Sequence, residues 1–260
     1  MKIVVLASGS KGNATYIEHE GFRLLIDAGI SRRQLDLRLQ QRVKTLKPID
    51  AILITHEHRD HTSGLASLMN HNKALLYTTK ETFKALNHTV SEACFRPLEI
   101  HQNHQIGPLF VTVFPISHDA SNPIGFQLTT ARGKRLVYMT DTGYIPQTYY
   151  ETLRNADFYI FEANYDVALL FNSGRPYYLK KRIDSVKGHL SNADSAYHLA
   201  QLVGENTKGF ILAHPSAECN TEHHVIETFN SVFESYDLNL SAFAFEIASQ
   251  TEPSQRYIIE

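Results

Sequence analysis

Short apolar runs rich in β-branched residues recur along the chain, and each stops at a polar or Gly-containing cluster. They predict strands over 3–7, 14–18, 22–26, 51–55, 74–78, 109–115, 125–130, 135–140, 158–163 and 209–213, with a closing run around 241–247. Between them, helix-like stretches cover 31–45, 62–70, 80–87, 147–155, 192–203 and 221–235. Ser191 or Asn192 stands where the fifth helix needs an N-cap, since a short side-chain oxygen there accepts from an otherwise unbonded backbone N–H. Strands interleaved with helices define an α/β chain. No Pro/Ser/Gly-rich linker and no low-complexity tract interrupts them, so a single domain over 1–260 is expected.

Two local features refine this picture. The opening run Ile3-Val4-Val5-Leu6-Ala7 is too short for the apolar core of a leader and turns polar at Ser8, so it reads as a first buried strand. Arg23-Leu24-Leu25-Ile26-Asp27-Ala28-Gly29 is echoed by Arg135-Leu136-Val137-Tyr138-Met139-Thr140-Asp141-Thr142-Gly143. The echo fits two similar β-rich halves, and it fits equally a shared turn chemistry in which a strand runs into Asp-x-Gly.

Composition narrows the class. With 43% apolar and 20% charged residues the chain is ordinary for a globular protein. No run approaches the roughly 18 apolar residues that span a bilayer, so no membrane partner is expected. Cys94 and Cys219 are the only cysteines, too few for a disulfide framework, which points to a reducing, cytoplasmic home. A net charge of −2 and a pI near 6.7 exclude a global basic footprint for nucleic acid but leave room for a local basic patch. Histidine departs from the average, with 14 copies, several crowded beside acids. It is the commonest side-chain metal ligand.

The strongest signal follows the strand over 51–55, where the chain reads His56-Glu57-His58-Arg59-Asp60-His61. A chance His-x-His-x-Asp-His is expected in about two of a thousand chains of this composition. Alternate residues of an extended segment point the same way, so His56 and His58 can share one ion, while Asp60 and His61, where the chain turns into a helix, face a second. Further ligands stand where strands end: His118 after 109–115, Asp141 after 135–140 and His214 after 209–213. Carboxyl ends of strands are where open α/β sheets place their ligands. A histidine and carboxylate set without thiolate suits Zn²⁺, Mn²⁺ or Fe²⁺ and does not rank them.

In these residues the chain resembles the metallo-β-lactamase superfamily, whose ordered motifs are an early Asp, His-x-His-x-Asp-His, a lone His, a lone Asp and a terminal His. Asp27, the cluster at 56–61, His118, Asp141 and His214 keep that order. The resemblance implies a four-layered αβ/βα sandwich with two similar β-rich halves packed face to face and helices outside. It also implies two divalent metal ions, with His56, His58 and His118 on one, Asp60, His61 and His214 on the other, Asp141 bridging, and Asp27 structural. Gly9-Ser10-Lys11-Gly12-Asn13, Phe161-Glu162-Ala163-Asn164-Tyr165-Asp166, Lys187-Gly188-His189-Leu190-Ser191-Asn192-Ala193-Asp194 and Leu212 to Asn220 are similar to the YycJ/WalJ (VicX) subfamily. Pro215 departs from the leucine expected after the final histidine.

The resemblance further implies a phosphodiesterase acting on nucleic acid, a DNA exonuclease of 5′ to 3′ polarity, with a metal-bridging hydroxide as nucleophile, and Asp60 can accept the proton that the shared water gives up to form it. His189 resembles the Gly-His-Ser/Thr histidine of the transfer-RNA 3′-processing and RNase J-like branches, which makes it the proton donor to the leaving oxygen. Glu162 matches the acid that orients it. The plainer reading of His189 is a solvated imidazole at a Gly-His helix entry.

Ser10 and Asn13 sit in a Gly-rich turn that either wraps a phosphate with backbone N–H groups or simply joins two strands. Arg175, Lys181 and Arg182, with Lys180 and the neighbouring Tyr177 and Tyr178, form the most basic stretch, read either as a nucleic-acid contact with an aromatic for stacking or as a solvated loop. Cys219 reads as a buried thiol. His19, His71, His88, His101, His104, His198, His223 and His224 belong to no recognised motif. Two other functions stay open: hydrolysis of a small phosphodiester or cyclic nucleotide, and a regulatory role beside a cell-wall two-component signalling system.

Overall fold

The computed structural model describes residues 1–44, 47–87 and 90–260. Its strands are ordered in two seven-stranded sheets, and the chain falls into two compact units. Unit one comprises Met1–Pro115, Ala120–Lys134 and Ala248–Glu260, and unit two comprises Ile116–Asp119 and Arg135–Ile247. Among the described residues, no helix is long and apolar enough to cross a membrane.

Unit one opens with β1 (Lys2–Ala7), β2 (Ala14–His19), β3 (Phe22–Ile26) and α1 (Arg32–Arg42), then β4 (Ala51–Leu53), α2 (Arg59–Thr62), α3 (Leu65–His71), β5 (Leu75–Thr78) and α4 (Lys80–Ala85). It continues through β6 (Phe95–Pro97), β7 (Asn103–Ile106), β8 (Leu109–Pro115) and β9 (Ile124–Thr130). β1 to β3 pair antiparallel and β3 to β6 parallel, while β7, β8 and β9 form an antiparallel meander. Leu25, Ile52, Ile54 and Leu76 from the sheet pack with Leu35, Leu39, Leu65 and Leu68 from α1 and α3 in one apolar core.

Unit two carries β10 (Arg135–Met139), α5 (Tyr150–Leu153), β11 (Phe158–Glu162), α6 (Val167–Asn172), α7 (Tyr177–Ile183), α8 (Asn192–Leu202), β12 (Gly209–Ala213), α9 (Glu222–Glu234) and β13 (Ala244–Ile247). β10 to β13 are parallel neighbours, and every residue of β11 and β12 is buried. Burial on both faces explains why these strands read as continuous apolar runs without alternation. The last strand, β14 (Tyr257–Ile258), belongs to unit one and pairs antiparallel with β1.

The core strands and longer helices follow the pattern, and the differences have local causes. The helix expected over 31–45 ends at Arg42, because Lys44 turns left-handed at φ 56°. Thr45 lies outside the described residues, as does His88. The helix expected over 62–70 starts at Leu65, after the separate turn α2 that carries Asp60 and His61. The one expected over 147–155 is a 3-10 turn at Gln147–Tyr149 followed by α5. The stretch at 175–182, offered as a solvated loop, is α7, entered through Pro176 and preceded by α6 with Asp166 as N-cap. Helices of six and seven residues are too short to show a period. Ser191 caps α8, its side chain accepting from Asp194 N–H.

Candidate metal centre

In unit one the loop over 54–58 leaves β4 as extended backbone and closes into α2, so His56, His58 and His61 crowd together. The His56 and His58 rings lie 4.6 Å apart edge to face, and His56 and His61 lie 4.1 Å apart. Asp27, fully buried at the end of β3, accepts from Thr55 N–H at 2.9 Å and Thr55 Oγ1 at 3.0 Å, and its other oxygen meets His61 Nδ1 at 2.8 Å. A carboxylate on Nδ1 draws the proton there and leaves Nε2 with its lone pair. Thr55 Oγ1 sits 3.0 Å from His56 Nδ1. Asp60 Oδ2 lies 3.5 Å from His61 Nε2.

In unit two the ends of β10, β11 and β12 and the turn before α8 bring Asp141, Glu162, His189 and His214 together, their donor atoms all within 4.8 Å of one another. His214 Nε2 is 3.4 Å from Asp141 Oδ1, and the His189 ring stacks on His214 at 5.2 Å. His118 lies 5.2 Å from His189, and its Nδ1 stands 3.1 Å from the Gly188 carbonyl, which as an acceptor places the proton on Nδ1 and frees Nε2. Glu162 is fully buried, one oxygen accepting from Thr142 N–H at 2.8 Å and the other 2.7 Å from His189 Nδ1. Burial alone drives its carboxyl upwards, but the adjacent His189 charge and the hydrogen bonds of His189 and His214 outweigh that and hold it below the usual carboxylate range.

Asp27, Asp141 and His214 share a left-handed backbone, with φ of 60°, 58° and 57°. Such a residue costs about 1–3 kcal/mol, and such residues cluster at functional sites. The echo between 23–29 and 135–143 therefore extends to geometry, each strand running into a left-handed Asp.

The residues expected to touch substrate are placed differently. Ser10 is exposed, but Asn13 is buried, its amide oxygen accepting from Gly9 N–H at 2.8 Å and its nitrogen 3.1 Å from His61 Nε2. Asn13 thus braces the Gly-rich turn and faces His61. Arg175 pairs with Glu218 at 2.9 Å, Arg182 with Asp119 at 2.6 Å, and Lys181 with Asp184 at 3.7 Å, while Lys180 donates to the Phe171 and Ser173 carbonyls at 2.7 Å. Cys219 is buried in an apolar cluster with Tyr165, Leu170 and Ile183.

Three neighbours were given no role from the sequence. Asn164, buried, donates to the His214 carbonyl at 2.8 Å and lies 2.9 Å from its Nδ1. Two residues beyond Glu162 on the continuation of β11, it faces the same way, so period two was the available signal. Glu57 accepts from Ser121 N–H and Oγ at 2.8 and 2.7 Å. Asp119 Oδ1 stands 3.5 Å from His118 Nε2.

The donor set fits divalent metal ions. It consists of imidazole and carboxylate without thiolate, buried except for the half-buried His58, Asp60 and His189, with proton positions at His61 and His118 compatible with Nε2 ligation. Nitrogen and oxygen donors gathered at strand ends of an α/β protein are those of a metal-dependent hydrolase. The Beta-lactamase superfamily domain matches residues 22–214. The exodeoxyribonuclease WalJ of Streptococcus pneumoniae serotype 2 is 36% identical over 224 residues, 84% of this chain and 83% of its own length. Exodeoxyribonuclease YycJ of Bacillus anthracis is 32% identical over 252 residues, 96% and 94% of the two chains. The metallo-beta-lactamase fold protein YhfI from Bacillus subtilis superposes with a TM-score of 0.72 at 16% identity, covering 97% and 98%. The chain belongs to the beta-lactamase superfamily, in the YycJ/WalJ subfamily, and has the metallo-β-lactamase fold.

Proposed function

We propose that this chain is a dinuclear metal-dependent phosphodiesterase that degrades nucleic acid, as a 5′ to 3′ DNA exonuclease. The buried Glu162–His189 pair beside Asp141 and His214 carries the reading, because hydrolysis of a phosphodiester needs a proton for the departing alkoxide and this pair can supply it. Relatives of similar length named exodeoxyribonucleases support the substrate class.

In this proposal the chain acts as one domain; His56, His58 and His118 would hold one ion and Asp60, His61 and His214 the other, with Asp141 serving both. Bound there, two divalent ions supply a Lewis acid for a phosphoryl oxygen and a water acidic enough to attack near neutral pH. The side chains do the rest. Glu162 fixes His189 with its proton on Nδ1, so in the charged ring Nε2–H faces the leaving oxygen and gives up its proton there. Asp60 accepts the proton of the attacking water. Asp27, Asn13 and Asn164 keep the ligand rings from turning.

The test incubates the purified protein with Mn²⁺ or Zn²⁺ and 5′- or 3′-labelled DNA and RNA, alongside bis-(p-nitrophenyl) phosphate and cyclic nucleotides. Mononucleotides released from the 5′ end of DNA are expected, and His189→Ala is expected to lower kcat by roughly 10²–10⁴ with little change in metal content. Cleavage of the small esters alone rules out the nuclease, and full activity in His189→Ala removes its role as acid.

A further inference from the structure

The turn over 9–13, which the sequence leaves as either a phosphate cradle or a plain connection, is filled from within unit one. Gly9 N–H donates to Asn13 Oδ1 at 2.8 Å, Lys11 N–H to Gln250 Oε1 at 2.7 Å, Gly12 N–H to the Gly9 carbonyl at 3.0 Å and Asn13 N–H to the Asp60 carbonyl at 2.7 Å. A backbone nest binds an anion through N–H groups that are free to point at it. Here the N–H groups of Gly9, Lys11, Gly12 and Asn13 already have acceptors in the chain, so the turn makes a poor phosphate site.

Its neighbours show what it does instead. The Asn13 carbonyl accepts from Gly29 N–H at 2.8 Å, and a Cβ at Gly29 would fall on the Asp60 carbonyl and the Asn13 nitrogen. Gly12, at a φ of 150°, lies just as closely on the Gly29 carbonyl, and Ala28 N–H reaches the His61 carbonyl at 2.7 Å. Glycine at both crossings lets the backbone at 12–13, 28–29 and 60–61 lie in direct contact. At this junction the Asn13 amide nitrogen stands 3.4 Å from Asp60 Oδ2 and 3.1 Å from His61 Nε2, on the two side chains proposed to share one ion. Its two hydrogens can serve both, which fixes the directions in which the carboxylate and the ring present their lone pairs.

A distant side chain holds the turn in place. Gln250 accepts from Lys11 N–H and donates through Nε2 to the Gly12 carbonyl at 3.0 Å, so both polar atoms of its amide engage adjacent residues of the turn. Its backbone is anchored in turn, the Gln250 carbonyl accepting from the buried Arg38 of α1 at 3.2 Å and the Ser249 carbonyl from Ser8 N–H at 3.1 Å. We infer that Gln250 is a positioning residue of the metal centre, locking the 9–13 turn so that Asn13 stays where it orients Asp60 and His61. The inference rests on the proposed metal site and deepens it. Donors held in place beforehand lose less freedom when an ion binds, so loosening the turn weakens the ion held by Asp60 and His61.

The test compares two variants of the full chain. Gln250→Met keeps the length of the side chain and removes both of its hydrogen bonds. Arg42→Met loosens the same C-terminal segment by removing two bonds to the Pro253 carbonyl and leaves the turn alone. Affinities for Zn²⁺ and Co²⁺ are measured by competition with a chromogenic chelator, with melting temperatures beside them. Gln250→Met is expected to bind one of its two ions about tenfold more weakly, the low end of the cost of losing support behind a ligand, and to alter the visible spectrum of the Co²⁺-loaded protein. Arg42→Met is expected to melt lower with the affinity and spectrum of the parent. Asn13→Ala is expected to weaken the same ion, and adding Gln250→Met to it to cost less than about twofold more, because residues acting along one path are not additive. Where Asn13→Ala does not fold, the Asn13 side-chain N–H2 signal reports the path. It should resist hydrogen exchange in the parent and in Arg42→Met and exchange freely in Gln250→Met. Parental affinity in Gln250→Met, an equal loss in Arg42→Met, additive losses in the double variant, or an Asn13 signal that stays protected in Gln250→Met each overturn the inference. A parent that binds no metal removes the metal-centre reading itself, so the two failures are distinct.

Discussion

At the scale of single residues, much of the site is built from side chains that hold other side chains. Asp27 spends its carboxylate on Thr55 and on His61 Nδ1, and does so from a left-handed backbone. Asn fits that backbone nearly as well as Asp, so Asp27→Asn keeps the turn while presenting an amide N–H2 where an acceptor is needed. We expect it to lower the affinity for the first-row metal roughly ten- to hundredfold, the usual cost of removing the partner of a ligating histidine. Titration against a chromogenic chelator measures this. Unchanged affinity in a folded Asp27→Asn protein leaves Asp27 as a turn residue only.

At the scale of elements, α5 and α8 meet through a hydrogen bond that also makes one contribution to stability pH-dependent. Tyr150 Oη lies 2.6 Å from His198 Nδ1. Burial pushes the tyrosine up to about 12, so its hydroxyl keeps its proton and donates to a neutral imidazole. Burial likewise lowers His198 below its usual 6.5, with Asp194 opposing in part. Below about 6.5 the unfolded chain takes up a proton that the folded one refuses, so stability falls as pH drops from there to the depressed folded value and is flat beyond it. His198→Gln keeps a side-chain acceptor and cannot titrate. Its melting temperature should fall less than that of the parent between pH 7.5 and 5. Parallel curves show that His198 titrates alike in both states. This contact also marks what the sequence concealed. The histidines and acids of the candidate metal centre stood out in the sequence because they follow apolar runs that read as strands, with chemistry few other roles require. His198 and Asn164 were illegible because their partners lie 48 and 50 residues away, a pairing that only the folded β-α-β path creates. The segment at 175–182 misled for a related reason: its charges are visible in sequence, but Asp119 and Glu218, which pair with Arg182 and Arg175, are far along the chain.

At the scale of the whole molecule, each unit buries imidazoles and carboxylates that could hold a metal ion. Unit one buries Asp27, His56 and His61, and unit two buries His118, Asp141, Glu162 and His214. An ion that binds the folded chain and not the unfolded one stabilises the fold by mass action, so metal is expected to stabilise the protein as well as activate it. An ion held at about 100 times its Kd contributes about 2.7 kcal/mol, which in a chain of this size raises Tm by roughly 5–10 °C. Calorimetry with and without chelator reads that shift. The sharper question is whether the ligands of the two units hold the same pair of ions, as proposed, or separate ones. Asp141 decides it, being the one group assigned to both ions. If it bridges, Asp141→Ala should drop bound metal from about two ions per chain to below one, and the metal-dependent rise in Tm should vanish with it. If unit one binds its ion independently through His56, His58 and His61, the same variant keeps one firmly held ion and part of the rise. Elemental analysis of gel-filtered protein, read beside the melting curves, separates the two outcomes, and a retained stoichiometry of two removes Asp141 from the ligand set altogether.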